Sequence, residues 1–213
     1  MLYDKFKYIF PPRPKNAAPA SAIGTYDNGA MVGQAKSNGS NCSLYTNGIV
    51  MAVYNRHNER LTGFSITQEE INDTLFKCER GNWMMWNGEY MNKSKNDENG
   101  NVFNHKLVLF DTLVVNSDYL LGKTYQERLD ILDDLYGTNV CERKYYHKVS
   151  DNIFKVINYY KDYAKLYDEM IKTDMIEGLV LKRKNARLEP GRSEINNEKS
   201  MIKFRKPTKN YKF

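Results

Sequence analysis

The sequence is poor in cysteine and has no long apolar segment. Its three cysteines, Cys42, Cys78 and Cys141, lie far apart, and no two of them form a C-x-x-C pair. An odd number of distant cysteines argues against a disulfide framework and against a structural zinc site, so we expect reduced thiols. No stretch has the apolar length that a bilayer span needs, and residues 1–10 lack the apolar core of a secretory signal. We therefore expect a soluble, cytoplasmic protein that has no membrane contact.

Acidic residues are scarce near the C-terminus, whereas basic residues are frequent there. The whole chain carries 32 Lys and Arg against 26 Asp and Glu, which gives a formal charge of +6. From Lys182 onward the only acidic residues are Glu189, Glu194 and Glu198. Aromatic residues alternate with the basic ones in the same segment, at Phe204, Tyr211 and Phe213. Basic side chains with aromatics suit phosphate backbones and exposed bases, so we expect a nucleic-acid partner. A solvated tail that only aids solubility is the alternative.

The order of the predicted elements favours an α+β fold. A hydrophobic fraction of 41% in 213 residues is enough for one sizeable core. Residues 1–25 are predicted to be an extended lead-in, because four prolines and several alanines occur between positions 11 and 20. Strands and helices then follow in mixed order without βαβ alternation, which predicts antiparallel sheets flanked by helices.

Hydrophobic patterning and capping signals give the individual elements. Strands are predicted to end at Lys36 and to cover 43–46, 49–54, 83–91, 106–115, 176–182 and 201–205, with a turn at Asn47-Gly48. Capping boxes at 67–70 and 124–127 predict helices over about 68–77 and 125–135. The sequence Ser150-Asp151-Asn152 followed by apolar residues at helical spacing predicts the longest helix, which would reach about residue 172.

Lys36 precedes an Asn-Gly pair, at Asn38-Gly39, between two predicted strands. Asn-Gly is a strong turn signal, so this segment by itself indicates no more than a turn. A lysine nucleophile, however, needs a pKa that is lowered by burial or by nearby cations. If the electrophile is a nucleotide phosphate, the site also needs cations for its oxygens, carboxylates for a divalent metal and an aromatic face for the base. The chain supplies each of these types at a predicted strand or strand end: Glu89, Phe110, Glu177, Lys182, Lys203 and Arg205.

This ordered set of segments resembles the covalent nucleotidyltransferases, which comprise ATP-dependent DNA ligases, RNA ligases and mRNA capping guanylyltransferases. The K-x-D-G motif of DNA ligases and capping enzymes is similar to Lys36-Ser37-Asn38-Gly39. The later motifs are matched, in order, by Arg56 on a following strand, Asn87-Gly88-Glu89, Phe110-Asp111 with Glu127-Arg128, Glu177 to Lys182 (E-G-x-V-x-K), and Lys203-Phe204-Arg205. Pro190-Gly191-Arg192-Ser193 also resembles a stretch of DNA ligases. The resemblance extends from Gln34 to Lys206.

The resemblance implies a role for each matching residue. Lys36 would attack the α-phosphorus of ATP and carry AMP, while Lys182 and Lys203 would contact the α-phosphate. The ribose would be held by Glu89 and the adenine stacked on Phe110, and Arg56 would contact the nucleotide or the acceptor 5′-phosphate. Further candidates for nucleotide binding are Gln34, Asn41 and Arg205. Glu177 and Glu89 would serve a divalent metal, Mg²⁺ or Mn²⁺.

Each assignment has an alternative that uses no chemistry. Glu89 and Glu177 would then be surface carboxylates, Phe110 a core residue and Arg56 a solvated side chain. The resemblance also implies an ATP-grasp-like nucleotidyltransferase domain over residues 1–213, and the chain stops soon after the last motif. We therefore expect a monomer without an OB domain, of the small kind that viruses and phages encode, acting in the cytoplasm or in a host cell on nicked duplexes.

Several positions depart from the DNA-ligase pattern. Asn38 replaces the usual Asp, Ala35 replaces a polar residue, and Arg205 replaces a lysine. Asn41 stands where DNA ligases commonly have Arg, and Gly39-Ser40-Asn41 is similar to RNA ligases that seal nicks. The first motif thus favours RNA ligases, and Pro190 to Ser193 favours DNA ligases. We predict an ATP-dependent polynucleotide ligase with nicked DNA slightly favoured. The alternatives are a capping guanylyltransferase and a nucleic-acid-binding module that has lost catalysis.

Overall fold

The computed structural model describes residues 7–137, 143–191 and 198–207. The strands are β1 (Met31–Ser37), β2 (Ser40–Thr46), β3 (Met51–Tyr54), β4 (Met84–Met91), β5 (Lys106–Val115), β6 (Asp118–Tyr119), β7 (Tyr146–Lys148), β8 (Ile153–Val156), β9 (Ile176–Arg183) and β10 (Met201–Arg205). The α-helices are α1 (Gln68–Thr74), α2 (Tyr125–Tyr136) and α3 (Tyr163–Met170), and short 3₁₀ helices cover Ala20–Tyr26 and Glu198–Ser200.

These strands form two sheets within the described residues. The smaller sheet has the order β1-β9-β10, and both pairings are antiparallel. The larger sheet has the order β3-β2-β4-β5-β8-β7, with β6 beside β5. Its pairings are antiparallel except for β5 with β8, which run parallel. The α+β class and the antiparallel sheets are therefore confirmed, with this parallel pair as an addition.

The chain passes from one sheet to the other at Asn38-Gly39, because β1 belongs to the smaller sheet and β2 to the larger one. The φ angle of Gly39 is not positive. The glycine of an Asn-Gly hairpin turn would need a positive φ. A Cβ atom on Gly39 would instead lie 2.4 Å from the carbonyl oxygen of Tyr90. The glycine is thus needed for close backbone approach, whereas the predicted turn at Gly48 does have a positive φ of 78°.

The smaller sheet has one face in the core and the other in a cavity. Alternate residues of its three strands, Ala35, Leu179, Leu181 and Phe204, belong to the largest buried apolar cluster. This cluster also contains the α3 residues Tyr163 and Met170. Because successive strand residues face opposite sides, the intervening positions are free to present polar groups on the other face.

The predicted long helix after residue 150 is wrong. Ile153–Val156 form the short buried strand β8, and the helix begins only at Tyr163. All four residues of β8 are buried, since β8 lies between β5 and β7. A short apolar run has the same appearance in a buried strand and in a helix, so spacing alone misassigned it. Tyr160, which the helical spacing would place on the apolar face of that helix, is 42% exposed.

The other predicted elements are confirmed with smaller changes. Thr124 caps α2, and its backbone and side chain both contact the Glu127 carboxylate, which completes the capping box. Thr67 caps α1, which ends at Thr74 instead of about residue 77. Within the described part of the lead-in, residues 7–19 contain no helix, but residues 20–26 form a 3₁₀ helix that the sequence did not predict. Cys42 and Cys78 are free thiols, and Cys141, Arg192 and Ser193 lie outside the described residues.

In the three described segments, no helix has both the length and the apolar character that a membrane crossing requires.

Candidate active site

A cavity of about 420 Å³ opens where the two sheets meet. This volume lies in the range of small-molecule sites. All ten of the predicted site residues line it: Gln34, Lys36, Asn41, Arg56, Glu89, Phe110, Glu177, Lys182, Lys203 and Arg205. The structure thus brings together residues that are spread over most of the chain.

Strand register explains why most of the cations converge. Gln34 and Lys36 stand opposite Val180 and Gly178 of β9, and Lys203 and Arg205 of β10 stand opposite the same two residues. Residues two apart on a strand share a face. Each strand therefore adds side chains to the same side of the smaller sheet, and the cavity lies on that side.

Glu177 reaches the cavity because β9 is irregular at this point. The register shifts between Lys36 and Ser37, and Gly178 has a φ of 149°. A Cβ atom on Gly178 would lie 1.8 Å from the carbonyl oxygen of Phe204, so this position requires glycine. A regular strand would direct residues 177 and 178 to opposite faces, yet Glu177 lines the cavity and forms a hydrogen-bonded ion pair with Lys36 Nζ.

The carboxylate of Glu177 is shared by two cations. Its Oε1 accepts from Lys36 Nζ, and its Oε2 lies 3.5 Å from Nε of Arg205. The side chains of Lys36 and Glu177 are 16% and 24% exposed, so solvent or a ligand can reach this pair. The arrangement holds the Lys36 amine at the cavity wall beside a group that can accept its proton.

Glu89 is a second carboxylate in the same cavity, supplied by β4 of the larger sheet. Burial raises the pKa of Glu89 to about 7, an effect that the Lys36 charge opposes and the Glu177 charge reinforces. The backbone N–H of Gly39 donates to Oε1 of Glu89 over 3.3 Å. Asn41, which pairs with Glu89 across β2 and β4, donates from Nδ2 to the carbonyl oxygen of Gly88.

Phe110 and Lys182 also line the cavity, and the buried Tyr125 contacts Lys182. Lys182 Nζ lies 4.4 Å from the centroid of the Phe110 ring and donates to the Tyr125 hydroxyl over 3.0 Å. Burial lowers the pKa of Lys182 to about 7, although the charge of Asp111 opposes the shift. Phe110 is partly buried against the largest apolar cluster and still lines the cavity, so it is both a packing residue and a wall residue.

Asp111 and Arg128 form a buried ion pair behind this wall. Nε of Arg128 donates to Oδ1 of Asp111 over 2.8 Å, and Nη2 donates to Oδ2 over 2.9 Å. Arg128 also donates to the carbonyl oxygen of Lys123 over 3.0 Å. These contacts fix α2 on β5 directly beside Phe110. The resemblance had matched both residues to a motif but had assigned neither of them a function.

The lead-in forms part of the cavity wall, which the sequence analysis did not foresee. Pro12, Arg13 and Pro14 line the cavity, and Lys203 Nζ donates to the carbonyl oxygen of Pro14 over 3.3 Å. The lead-in pairs with β10 through a parallel bridge between Ala17 and Lys203. Burial, reinforced by the charges of Arg205 and Lys36, lowers the pKa of Lys203. The proline spacing predicted that the lead-in is extended. No sequence signal predicted that the lead-in lies beside β10.

Arg56 is the most peripheral of the ten residues. The prediction that it lies on a strand is wrong, since β3 ends at Tyr54 and Arg56 follows in an exposed turn. Nε of Arg56 donates to Nε2 of His57 over 3.0 Å. Arg56 therefore stands at the rim of the cavity, where a ligand that extends outward would meet it.

The donor set suits a divalent cation only in part. No group of three or more His, Cys, Asp or Glu side chains is close enough to hold a metal in the ranges 7–137, 143–191 and 198–207. Glu89 and Glu177 do supply two carboxylates to one cavity. Mg²⁺ commonly takes one or two protein carboxylates and completes its shell with phosphate oxygens and water. The two residues thus fit a cation that is bound together with a phosphate ligand.

Comparison with solved structures gives matches of similar fold. The chain superimposes on mycobacterial DNA ligase D complexed with ATP and MES, with a TM-score of 0.66, 16% identity, and coverage of 94% of this chain and 62% of that chain. The ligase domain of LigD from M. tuberculosis gives a TM-score of 0.63 and 16% identity, with coverage of 93% and 60%. A Lig E DNA ligase, described as binding DNA with a minimal scaffold, gives a TM-score of 0.55 and 14% identity, with coverage of 93% and 70%.

The chain therefore spans about three fifths of the length of the first two of these structures. No curated protein sequence matches it. The sequence profile of the ATP-dependent DNA ligase domain, however, matches residues 14–205, which is most of the chain and includes every residue of the cavity except Pro12 and Arg13. On this evidence the chain belongs to the ATP-dependent DNA ligase domain family, within the nucleotidyltransferase superfamily.

Proposed function

We propose that this protein is an ATP-dependent polynucleotide ligase that uses Lys36 as its nucleophile. The observation that carries the proposal is the position of the Lys36 amine, which lines one cavity together with two carboxylates and five further Lys and Arg side chains. An amine in such a place can be deprotonated by a neighbouring carboxylate, and the cations can offset charge on a phosphate.

The first step would be nucleotidylation of Lys36. Nζ of Lys36 attacks the α-phosphorus of ATP, an N–P bond forms, the bond to the β-phosphate oxygen breaks, and pyrophosphate leaves. Glu177, hydrogen-bonded to Nζ, takes the proton that the amine must lose. Lys203, whose pKa the Lys36 charge helps to lower, and Lys182 would bind the α-phosphate oxygens.

The remaining side chains would position the nucleotide. The ring of Phe110 offers a face to the base, and Glu89 accepts from the ribose hydroxyls. Glu89 and Glu177 would hold Mg²⁺ or Mn²⁺, which when bound supplies charge that stabilises the phosphate oxygens. Gln34 and Asn41 lie beside Lys36 on β1 and β2, and Arg205 holds the second oxygen of Glu177.

Sealing would follow in two transfers. An oxygen of a 5′-phosphate attacks the phosphorus of lysyl-AMP, the N–P bond breaks, and the amine regains a proton. The neighbouring 3′-hydroxyl then attacks the 5′-phosphorus, a phosphodiester forms and AMP leaves. Arg56, which is exposed at the rim, would bind the acceptor phosphate. We propose nicked DNA ahead of nicked RNA as the substrate, because the matching family is the DNA ligase domain.

The test is covalent labelling followed by sealing. Purified protein is incubated with Mg²⁺ and ATP or GTP, and its intact mass is measured for Lys36→Ala, for Lys77→Ala as an exposed-lysine control, and for the unchanged chain. We expect a gain of one AMP from ATP that only Lys36→Ala abolishes. Nicked DNA, nicked RNA and hybrid duplexes are then assayed for sealing.

Two results would contradict the proposal. A gain of GMP from GTP, with none from ATP, would indicate a capping guanylyltransferase. No mass gain from either nucleotide, together with normal binding of nicked duplex by Lys36→Ala, would indicate a binding module without catalysis.

A further inference from the structure

A partly buried contact between Gln34 and Asn158 bears on which base the cavity binds. Gln34 lies two residues before Lys36 on β1, is 2% exposed and lines the cavity. Its Nε2 donates to Oδ1 of Asn158 over 2.7 Å. Asn158 lies in the segment between β8 and α3, far from Gln34 in sequence, and no motif of the family resemblance includes it.

The neighbours of Gln34 determine which end of its carboxamide faces the cavity. The Tyr125 hydroxyl donates its proton to the carbonyl oxygen of Phe110 over 2.9 Å and accepts from Lys182 Nζ over 3.0 Å. With its proton engaged, Tyr125 can act toward the neighbouring Gln34 side chain only as an acceptor, which agrees with Gln34 opposing the rise of the Tyr125 pKa. A carboxamide has two N–H donors; one is bound to Asn158 and the other suits Tyr125, which leaves the Oε1 oxygen as the group that a ligand can meet.

The backbone around Asn158 is anchored to β1 beside Gln34. Tyr159 and Gly33 exchange two hydrogen bonds, of 2.8 and 2.9 Å, in an antiparallel bridge. On the other side of Asn158, the N–H of Ile157 donates to the carbonyl oxygen of Tyr145 over 3.0 Å. The Asn158 side chain is therefore delivered next to Gln34 by main-chain contacts that a substitution at position 158 leaves in place.

We propose that Asn158 is a positioning residue that holds the Gln34 carboxamide with its oxygen toward the base, so that the site accepts an exocyclic amine and rejects a carbonyl at the same position. Adenine carries an amine at C6, whereas guanine and hypoxanthine carry an oxygen there. Oxygen facing oxygen leaves both acceptors unpaired in a buried place, which is costly. If Asn158 is lost, the carboxamide can turn and present N–H to the base.

This inference rests on the proposed nucleotide chemistry for its ligand, so its test measures binding without turnover. In the Lys36→Ala background, dissociation constants for ATP and inosine triphosphate are measured by calorimetry. These two nucleotides differ at C6 and the adjacent N1, and hypoxanthine lacks the 2-amino group of guanine. The variants are Asn158→Leu, which removes the acceptor, and Asn158→Asp, which keeps it. Asn82→Leu is the matched control, because it also removes an amide–amide contact, in which Asn82 donates to Asn116 Oδ1 over 2.8 Å, and neither residue lines the cavity.

We expect the chain that keeps Asn158 to bind ATP more tightly than inosine triphosphate, with dissociation constants that differ on the order of ten- to a hundred-fold. Asn158→Leu should reduce this ratio by about ten-fold, while Asn158→Asp and Asn82→Leu should keep it within about three-fold. The ratio of the two dissociation constants is the informative quantity, since general damage to the site weakens the binding of both nucleotides equally.

Two results would overturn the inference. One is an Asn158→Leu variant that keeps the full ratio, and the other is an Asn158→Asp variant that loses it. Failure of the ligase chemistry would be distinguishable, because the chain would then bind ATP selectively in this assay and still gain no mass in the labelling experiment.

Discussion

The ion pairs Asp111–Arg128 and Lys36–Glu177 each join a carboxylate to a cation across neighbouring elements, and they differ in access to water. The side chains of Asp111 and Arg128 are 2% and 1% exposed, and two hydrogen bonds connect them. The side chains of Lys36 and Glu177 are 24% or less exposed, but both line the open cavity. The first pair is closed to ligands, whereas a ligand can reach and separate the second.

The difference indicates what each pair contributes. A buried pair that loses one member leaves an uncompensated charge in a low dielectric, so it acts as a fixed structural link. An ion pair that solvent can reach contributes little to stability, and its members can exchange partners at small cost in free energy. Asp111–Arg128 thus supports the wall behind Phe110, while Lys36–Glu177 is available for chemistry.

The largest effect should follow from breaking the buried pair. We expect Arg128→Ala to lower the free energy of unfolding by about 3–5 kcal/mol, because Asp111 is then buried without its partner. Lys36→Ala and Glu177→Ala should each cost less than about 1 kcal/mol. Urea unfolding measures all three variants. The double change Asp111→Leu with Arg128→Met should recover most of the loss, and equal losses at the two pairs would refute the comparison.

Glu89 should make stability depend on pH. Its pKa is raised to about 7 in the folded chain, so the folded state holds a proton that the unfolded state has already lost. The contribution is fully present below the unfolded pKa and is lost as the pH rises through about 7. We expect a loss of about 1–2 kcal/mol between ~pH 5 and ~pH 8 that Glu89→Gln removes and the exposed control Glu69→Gln does not. Urea midpoints across this range measure it, and an unchanged slope in Glu89→Gln would contradict the assignment.

Lys182 should take up a proton when an anion enters the cavity. Its pKa is lowered to about 7, so at ~pH 8 much of it is neutral, and a bound phosphate favours the charged form. We expect uptake of about half a proton or more on ATP binding near pH 8. Calorimetry in buffers of different ionisation enthalpy measures the uptake. Lys182→Arg, which stays charged, should abolish it, and equal uptake in that variant would place the titrating group elsewhere.

The smallest effect concerns the helix that carries Arg128. At the start of α2 the Thr124 side chain accepts from the backbone N–H of Glu127, and the Glu127 carboxylate accepts from the backbone N–H of Thr124. Thr124→Ala should lower the free energy of unfolding by about 1 kcal/mol, and Thr124→Ser should restore most of it. Thermal melting of the two variants checks this, and a loss as large as that of Arg128→Ala would mean that the cap, rather than the ion pair, holds α2.

Sequence reasoning succeeded where the signal is local. The cap at Thr124, the turn at Gly48 and the long strands β4 and β5 each depend on residues within a few positions of one another. It failed at residues 153–156, where burial on both sides of a short strand removes the alternation that identifies strands. It also missed the lead-in as a cavity wall, since a bridge between Ala17 and Lys203 has no local pattern.

The sequence by itself determined the set of chemical groups and their order along the chain: an amine at Lys36, carboxylates at Glu89 and Glu177, a ring at Phe110 and cations from β9 and β10. Only the tertiary structure decided that these groups meet in one cavity. Glu177 illustrates the physical reason, because strand alternation would have turned it away from Lys36. The irregular backbone at Gly178, where any Cβ would collide with Phe204, brings it onto the same face.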